Sequence, residues 1–173
     1  NNILDLDAAW QAVNRFKTPA AVVVKHLTPC GIAEAREGTG DSLALALSKA
    51  IACDPVSAFG GIFAVNRPFD EECVRTLGEL FAECIAAPGF SPEAQALLAK
   101  KKNLRVLIPG HERPEFEVRS VLGGFLRQDI DRGDPLASEW KVVSARVPSE
   151  DELKDLAFAW KACMSVKSNA IVF

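Results

Sequence analysis

VVVKHLTPCGIA, residues 22–33, is the stretch on which the reading of the fold turns. With Ala20 and Ala21 it begins as an unbroken apolar run, which marks a strand covered on both faces rather than one with a face in water. The run predicts a buried strand over residues 20–24. It stops at a lysine and a histidine side by side, after which Pro29, Cys30 and Gly31 predict a turn. The chain has only two histidines, so one placed beside a lysine at the mouth of the most hydrophobic strand asks for a reason.

Outward from this strand, helical and extended patterns alternate. Residues 5–16 put Leu6, Trp10, Val13 and Phe16 on one helical face before Thr18 and Pro19 close the segment. Beyond the turn we expect a polar loop, a helix over residues 41–52 capped by Asp41, a loop through DPVSAFGG (residues 54–61) and a strand over 62–65. Asp70 caps a helix faced by Val74, Leu77, Phe81 and Ile85, whose last turn reads better as a short strand running into Ala87, Pro88 and Gly89. Ser91, Pro92 and Glu93 start a short helix, and residues 104–108 form a strand.

Extended segments are expected over 116–122 and 124–127, then a turn-rich loop through Gly133, Asp134 and Pro135 and a strand in WKVVSARV (residues 140–147). The last helix, over 149–166, opens with a capping box of Ser149 and Glu152 and is faced by Leu153, Leu156, Trp160 and Cys163. Continuous apolar strands alternating with amphipathic helices predict an α/β architecture, a layered sheet with flanking helices. In such folds sites form beyond strand ends, where Lys25 and His26 fall.

At 173 residues the default is one domain. No apolar run of 18 residues is present, so a soluble protein without a membrane partner is expected. The net charge of -3 is scattered along the chain, which argues against nucleic acid; the one basic cluster, Lys100, Lys101 and Lys102, reads as a solvated helix end rather than a phosphate grip. Five cysteines, odd in number and without CxxC spacing, suit neither a zinc site nor a disulfide framework, so reduced thiols in a cytoplasmic protein are expected. No charged-then-apolar leader is present, and the missing initiating methionine and the apolar SNAIVF ending suggest a piece of something longer.

Three groups of residues could carry chemistry. An imidazole titrates near neutrality and can take a proton from a nucleophile, and an adjacent ammonium favours its neutral, accepting form, so Lys25 and His26 make a plausible base. A surface lysine beside a hydrogen-bonded histidine is the competing reading. Neighbours on a regular strand also point to opposite faces, so both reach one substrate only if the backbone bends, as a turn at residues 29–31 would help it to do. In SAFGG (residues 57–61) the two glycines permit close backbone approach to a ligand and Phe59 could lie on a flat heterocycle, although a Gly-Gly turn needs no ligand. Asn169 offers an amide donor and acceptor to a carbonyl, or a helix C-cap. A thiol nucleophile at Cys30 with His26 lacks a third orienting group, and a deaminase-type zinc site lacks the second cysteine after Pro29 and Cys30.

NNI (residues 1–3), VKHLTPCGIA (24–33), DPVSAFGGIFAVNRPFD (54–70), IAAPG (85–89) and VKSNAIVF (166–173) together resemble one family from end to end and in the same order. The resemblance is to the first part of the transformylase domain of the bifunctional purine-biosynthesis family that pairs AICAR transformylase with IMP cyclohydrolase. It implies a cytidine deaminase-like fold without zinc, and formyl transfer from 10-formyltetrahydrofolate, as cosubstrate, to the 5-amino group of AICAR. By the same resemblance His26 accepts the amine proton. Lys25 stabilises developing charge or helps protonate the leaving folate nitrogen, and Asn169 orients the formyl oxygen. Phe59 and Gly60 belong to the substrate loop, Asn2 contacts the nucleotide, Glu83 meets the folate ring, and Pro88 lies in the substrate-binding turn that follows.

Thr28 stands where many members have asparagine, a small polar change expected to be tolerated. The family's phosphate-gripping RYGxNPHQ segment, its GAGQ and FFPFRD segments and its cyclohydrolase domain are not found in these residues. The family builds its sites across a homodimer. We therefore expect residues 1–173 to be the first part of a transformylase domain, poorly active or inactive alone. A folate- or nucleotide-binding subdomain with no catalysis of its own is the alternative.

Overall fold

The computed structural model describes residues 1–36, 38, 40–110, 114–131, 133 and 137–172. The order is α1 (Asn2–Val13), β1 (Ala20–Lys25), β2 (Thr28–Glu34), α2 (Leu43–Cys53), α3 (Pro55–Ala58), β3 (Gly61–Val65), α4 (Glu71–Leu77), β4 (Ala82–Ala86), α5 (Pro92–Leu98), β5 (Arg105–Leu107), β6 (Phe116–Val121), β7 (Gly124–Asp129) and α6 (Glu150–Cys163). None of the described helices is long and apolar enough to cross a membrane.

The chain divides into two compact units, Asn1–Pro109 with Phe158–Phe173, and Gly110–Ala157. The first unit holds a mixed sheet ordered β2-β1-β3-β4-β5. β1 runs antiparallel to β2 and β3, while β3, β4 and β5 are parallel. The unbroken apolar run does cross a doubly covered sheet. Ala21 and Val23 point into a core shared with Leu47, Phe63, Val74 and Ile85 of α2, β3, α4 and β4, whereas Val22 and Val24 point into a second core with Trp10 and Val13 of α1 and Ile62 of β3. The expected α/β layering is thus present as helix, sheet, helix.

Local capping explains most boundaries. Ser42, Asp70 and Ser91 each accept the backbone N–H three residues on, opening α2, α4 and α5. The cap of α2 is therefore Ser42, not Asp41. Gly78, at φ 54, ends α4 and frees the chain to enter β4 at Ala82–Ala86, so the reading of a short strand running into Ala87, Pro88 and Gly89 holds. Asn66 is the one buried polar side chain among the described residues. It accepts from Ala20 N–H at 2.8 Å and donates to the carbonyls of Phe16 and Thr18 at 2.9 and 2.8 Å, tying the end of β3 to the link between α1 and β1.

Three expectations are corrected. Pro29, Cys30 and Gly31 are not a turn but part of β2, an edge strand, where proline's missing N–H is tolerated. The glycine serves a close approach, since a Cβ on Gly31 would lie 1.9 Å from the Ala50 carbonyl oxygen of α2. Residues 54–58 are not loop, because Asp54 accepts from Ser57 N–H and Pro55 fits the first helical position, which closes one turn as α3. Residues 140–147 form no strand. Their β-branched composition suits a pleated surface, but they pair with no strand among the described residues.

In the second unit β6 and β7 pair antiparallel as a hairpin, in line with the extended segments expected there. Gly133 is described, whereas Asp134 and Pro135 lie outside the described residues. The capping box forms as read, Glu152 N–H donating to Ser149 Oγ at 3.2 Å and Ser149 N–H to Glu152 Oε2 at 2.8 Å.

Candidate active site

All eight candidate residues lie in the first unit. The arrangement is set by how β1 reverses into β2. Lys25 pairs with Thr28, leaving His26 and Leu27 as a two-residue hairpin connection with φ of 53° and 66°. Both central residues at positive φ define the primed turn that matches strand twist, normally the place of Asn-Gly. Here neither residue is glycine or asparagine, and each costs about 1 kcal/mol in that region. The backbone thus bends at His26 itself, not at residues 29–31. Leu27 N–H donates to Asp5 Oδ1 of α1 at 2.7 Å, and the His26 side chain stands exposed at the tip.

Lys25 follows Ala21 and Val23 on the α2 side of the sheet. Its ammonium donates to the carbonyls of Phe59 at 3.0 Å and Gly60 at 2.9 Å, just past the end of α3. Gly60 has φ 65, its N–H donates to the Phe81 carbonyl at 2.7 Å, and a Cβ there would sit 3.2 Å from Lys25 Nζ. The Phe59 ring is 61% exposed and rests against Phe81 at 5.6 Å between centroids, forming an aromatic shelf beside the anchored ammonium. Lys25, Phe59 and Gly60 are therefore one constellation.

Asn2 and Glu83 form a second. The pairing of β3 with β4 passes from Gly61↔Ala82 to Ile62↔Cys84, so Glu83 is the extra residue of a bulge, a device that re-aims a side chain. Its Oε2 accepts from Asn2 Nδ2 at 3.3 Å and from Arg105 Nη1 at 2.9 Å. Arg105, at the start of β5 opposite Cys84, escaped the sequence reading because nothing in the linear order links it to Glu83. Asn2 and Asp5 both come from the first turns of α1, which runs against β1, β3 and β4.

Two candidates are not drawn in by these contacts. Pro88 follows the far end of β4, about 16 Å along the strand direction from Glu83. Asn169 is exposed six residues past α6, so it is not that helix's C-cap, and among the described residues no hydrogen bond joins it to Lys25 or His26. Cys30 is a poor nucleophile: burial, with Asp54 next, pushes its thiol up, and Sγ donates to the Val23 carbonyl at 3.6 Å. No group of three His, Cys, Asp or Glu side chains that could hold a metal occurs among the described residues.

Compared with known proteins, residues 1–173 match throughout the family described as the AICARFT/IMPCHase bienzyme. The chain belongs to that family. It is 48% identical to the bifunctional purine biosynthesis protein PurH of Rhodospirillum rubrum over 177 residues, covering 100% of this chain and 33% of that protein. The PurH of Anaeromyxobacter dehalogenans is also 48% identical, over 184 residues covering 100% of this chain and 34% of its own, and that of Desulfitobacterium hafniense is 47% identical over 99% and 33%. The chain spans about a third of the length of the curated relatives it matches.

Proposed function

We propose that residues 1–173 are the first part of the transformylase domain of a bifunctional purine-biosynthesis enzyme, and that the whole enzyme transfers a formyl group from 10-formyltetrahydrofolate to the 5-amino group of AICAR. The observation that carries this reading is the hairpin tip. A backbone held in an unfavourable conformation leaves His26 exposed in the turn that directly follows Lys25, whose ammonium is anchored at the Phe59-Gly60 carbonyls, inside a chain matched by the family from end to end.

In this reading the amine attacks the formyl carbon while His26 takes its proton, a step worth about 10²- to 10⁴-fold in rate. Oxygen charge grows in the tetrahedral intermediate, where the Asn169 amide donates to it. Collapse releases the folate N10, which leaves with a proton. Lys25 acts mainly by charge and by holding the Phe59-Gly60 carbonyls, since two of its three N–H donors are engaged there. Glu83, on its bulge, accepts N–H donors of the pterin edge; Asn2 contacts the nucleotide, and Pro88 lines the substrate-binding turn. The sheet order, with β1 antiparallel between β2 and β3, supports a cytidine deaminase-like assignment, and by the family resemblance we propose that the enzyme works without zinc. We further propose a cytoplasmic homodimer whose partners are the two small molecules, with this stretch alone poorly active.

The test is His26→Ala in the full-length protein. Formyl-AICAR production should fall by about 10²-fold or more with the circular dichroism spectrum unchanged. Wild-type turnover in the variant would refute the assignment, and a wild-type protein that binds folate or AICAR without turnover would favour a binding subdomain.

A further inference from the structure

We propose that Asp5 is a positioning residue for His26, its carboxylate holding the His26-Leu27 turn in the conformation that presents the imidazole. Leu27 does not favour positive φ by its own chemistry, so a tertiary contact must supply the preference. The Leu27 N–H bond to Asp5 Oδ1, 2.7 Å long and strengthened by the acceptor's charge, is such a contact. Its geometry is rigid at both ends. Asp5 sits half-buried one residue before Leu6, which with Ala9, Trp10 and Val13 seats α1 in the core beneath Val22 and Val24 of β1. Lys25 and Thr28 close the hairpin on the other side, so the turn has few ways to relax while the bond stands.

This inference rests on the reading of His26 as proton acceptor. If the bond is lost, the turn can flip a peptide and move the imidazole by an ångström or more, a displacement that costs about 10²-fold in turnover. Binding is not expected to change, because Asp5 touches neither the Phe59 shelf nor Glu83 through any described hydrogen bond.

Asp5→Ala and Asp5→Asn in the full-length protein test it, read by steady-state kinetics and by hydrogen exchange of the Leu27 amide. Asp5→Ala should lower kcat about 10²-fold with the KM for AICAR within about twofold, and speed Leu27 exchange about tenfold or more. Asp5→Asn keeps an acceptor oxygen and should restore most of both. Wild-type kcat and exchange in Asp5→Ala would overturn the proposal. So would an Asp5→Asn protein that folds but is no better than Asp5→Ala. If His26→Ala keeps full turnover, the functional reading fails instead, and Leu27 exchange still reports whether Asp5 holds the turn.

Discussion

His26 and Leu27 adopt positive φ where a hairpin would ordinarily spend glycine or asparagine, and a backbone held against its preference is where function is commonly stored. That choice also hid the hairpin from the sequence, since His-Leu carries none of the Asn-Gly signal of a two-residue turn. The presence of a lysine-histidine pair was legible; the turn that presents it was not. Gly60 is the complementary case. An alanine there would force φ 65 on a side chain and set a Cβ 3.2 Å from Lys25 Nζ, so Gly60→Ala should cost about 1 kcal/mol in urea unfolding and lower turnover more than stability accounts for. Unchanged kinetics would mean that the Lys25 grip on the Phe59 and Gly60 carbonyls is dispensable. Thiols offer an independent check at the same scale. Burial pushes Cys73 up to about 12, so native-state alkylation should modify exposed Cys53 first and spare Cys73 until the chain unfolds.

Elements with strong local signals could be read directly. α4, α5 and α6 start at the Asp or Ser caps read from the sequence, α2 is capped one residue later than read, at Ser42, and the capping box at Ser149 and Glu152 forms bond for bond. What the linear order could not show was contact between distant segments: the crossing of α2 over β2 that requires Gly31, the Glu83 bulge, and Arg105 beside it. Gly31→Ala should destabilise the first unit by about 3 kcal/mol or prevent folding, because the Ala50 carbonyl is backbone and cannot swing aside; a melting temperature unchanged by the substitution would contradict the packing described. At α6 the Arg146 hydrogen bond and then the Ser149 N–H hold the Glu152 carboxyl at about 2, down from the ordinary 4.5. A depressed carboxylate stabilises above its unfolded value and loses that contribution as pH falls, so the start of α6 should fray between about pH 4.5 and pH 2, as followed by amide exchange at Leu153, whose N–H caps onto the Ser149 carbonyl. Exchange there independent of pH across this window, after correction for intrinsic rates, would count against the capping role.

For the whole molecule, the contrast between the two units is one of burial. Val22, Val23 and Val24, Ile62, Phe63 and Ile85 are fully enclosed, whereas none of the described residues of Gly110–Ala157 is buried. A two-stranded hairpin without a core is marginal on its own, so amides of β6 and β7 should exchange fast while those of β1, β3 and β4 report global unfolding. The same contrast explains which expectations failed. Residues 140–147 carry strand-like composition but have no sheet to join among the described residues, whereas β1, β3 and β4 had two apolar faces to satisfy. In the proposed reaction the first unit's fold delivers an imidazole to a reacting amine. The most direct measurement is a crystal structure of the full-length protein with AICAR bound. A His26 ring nitrogen within about 3 Å of the 5-amino group, directly or through one water, is the predicted result. An imidazole turned away from the amine, with another side chain in hydrogen-bond reach of it, would rule out His26 as the proton acceptor.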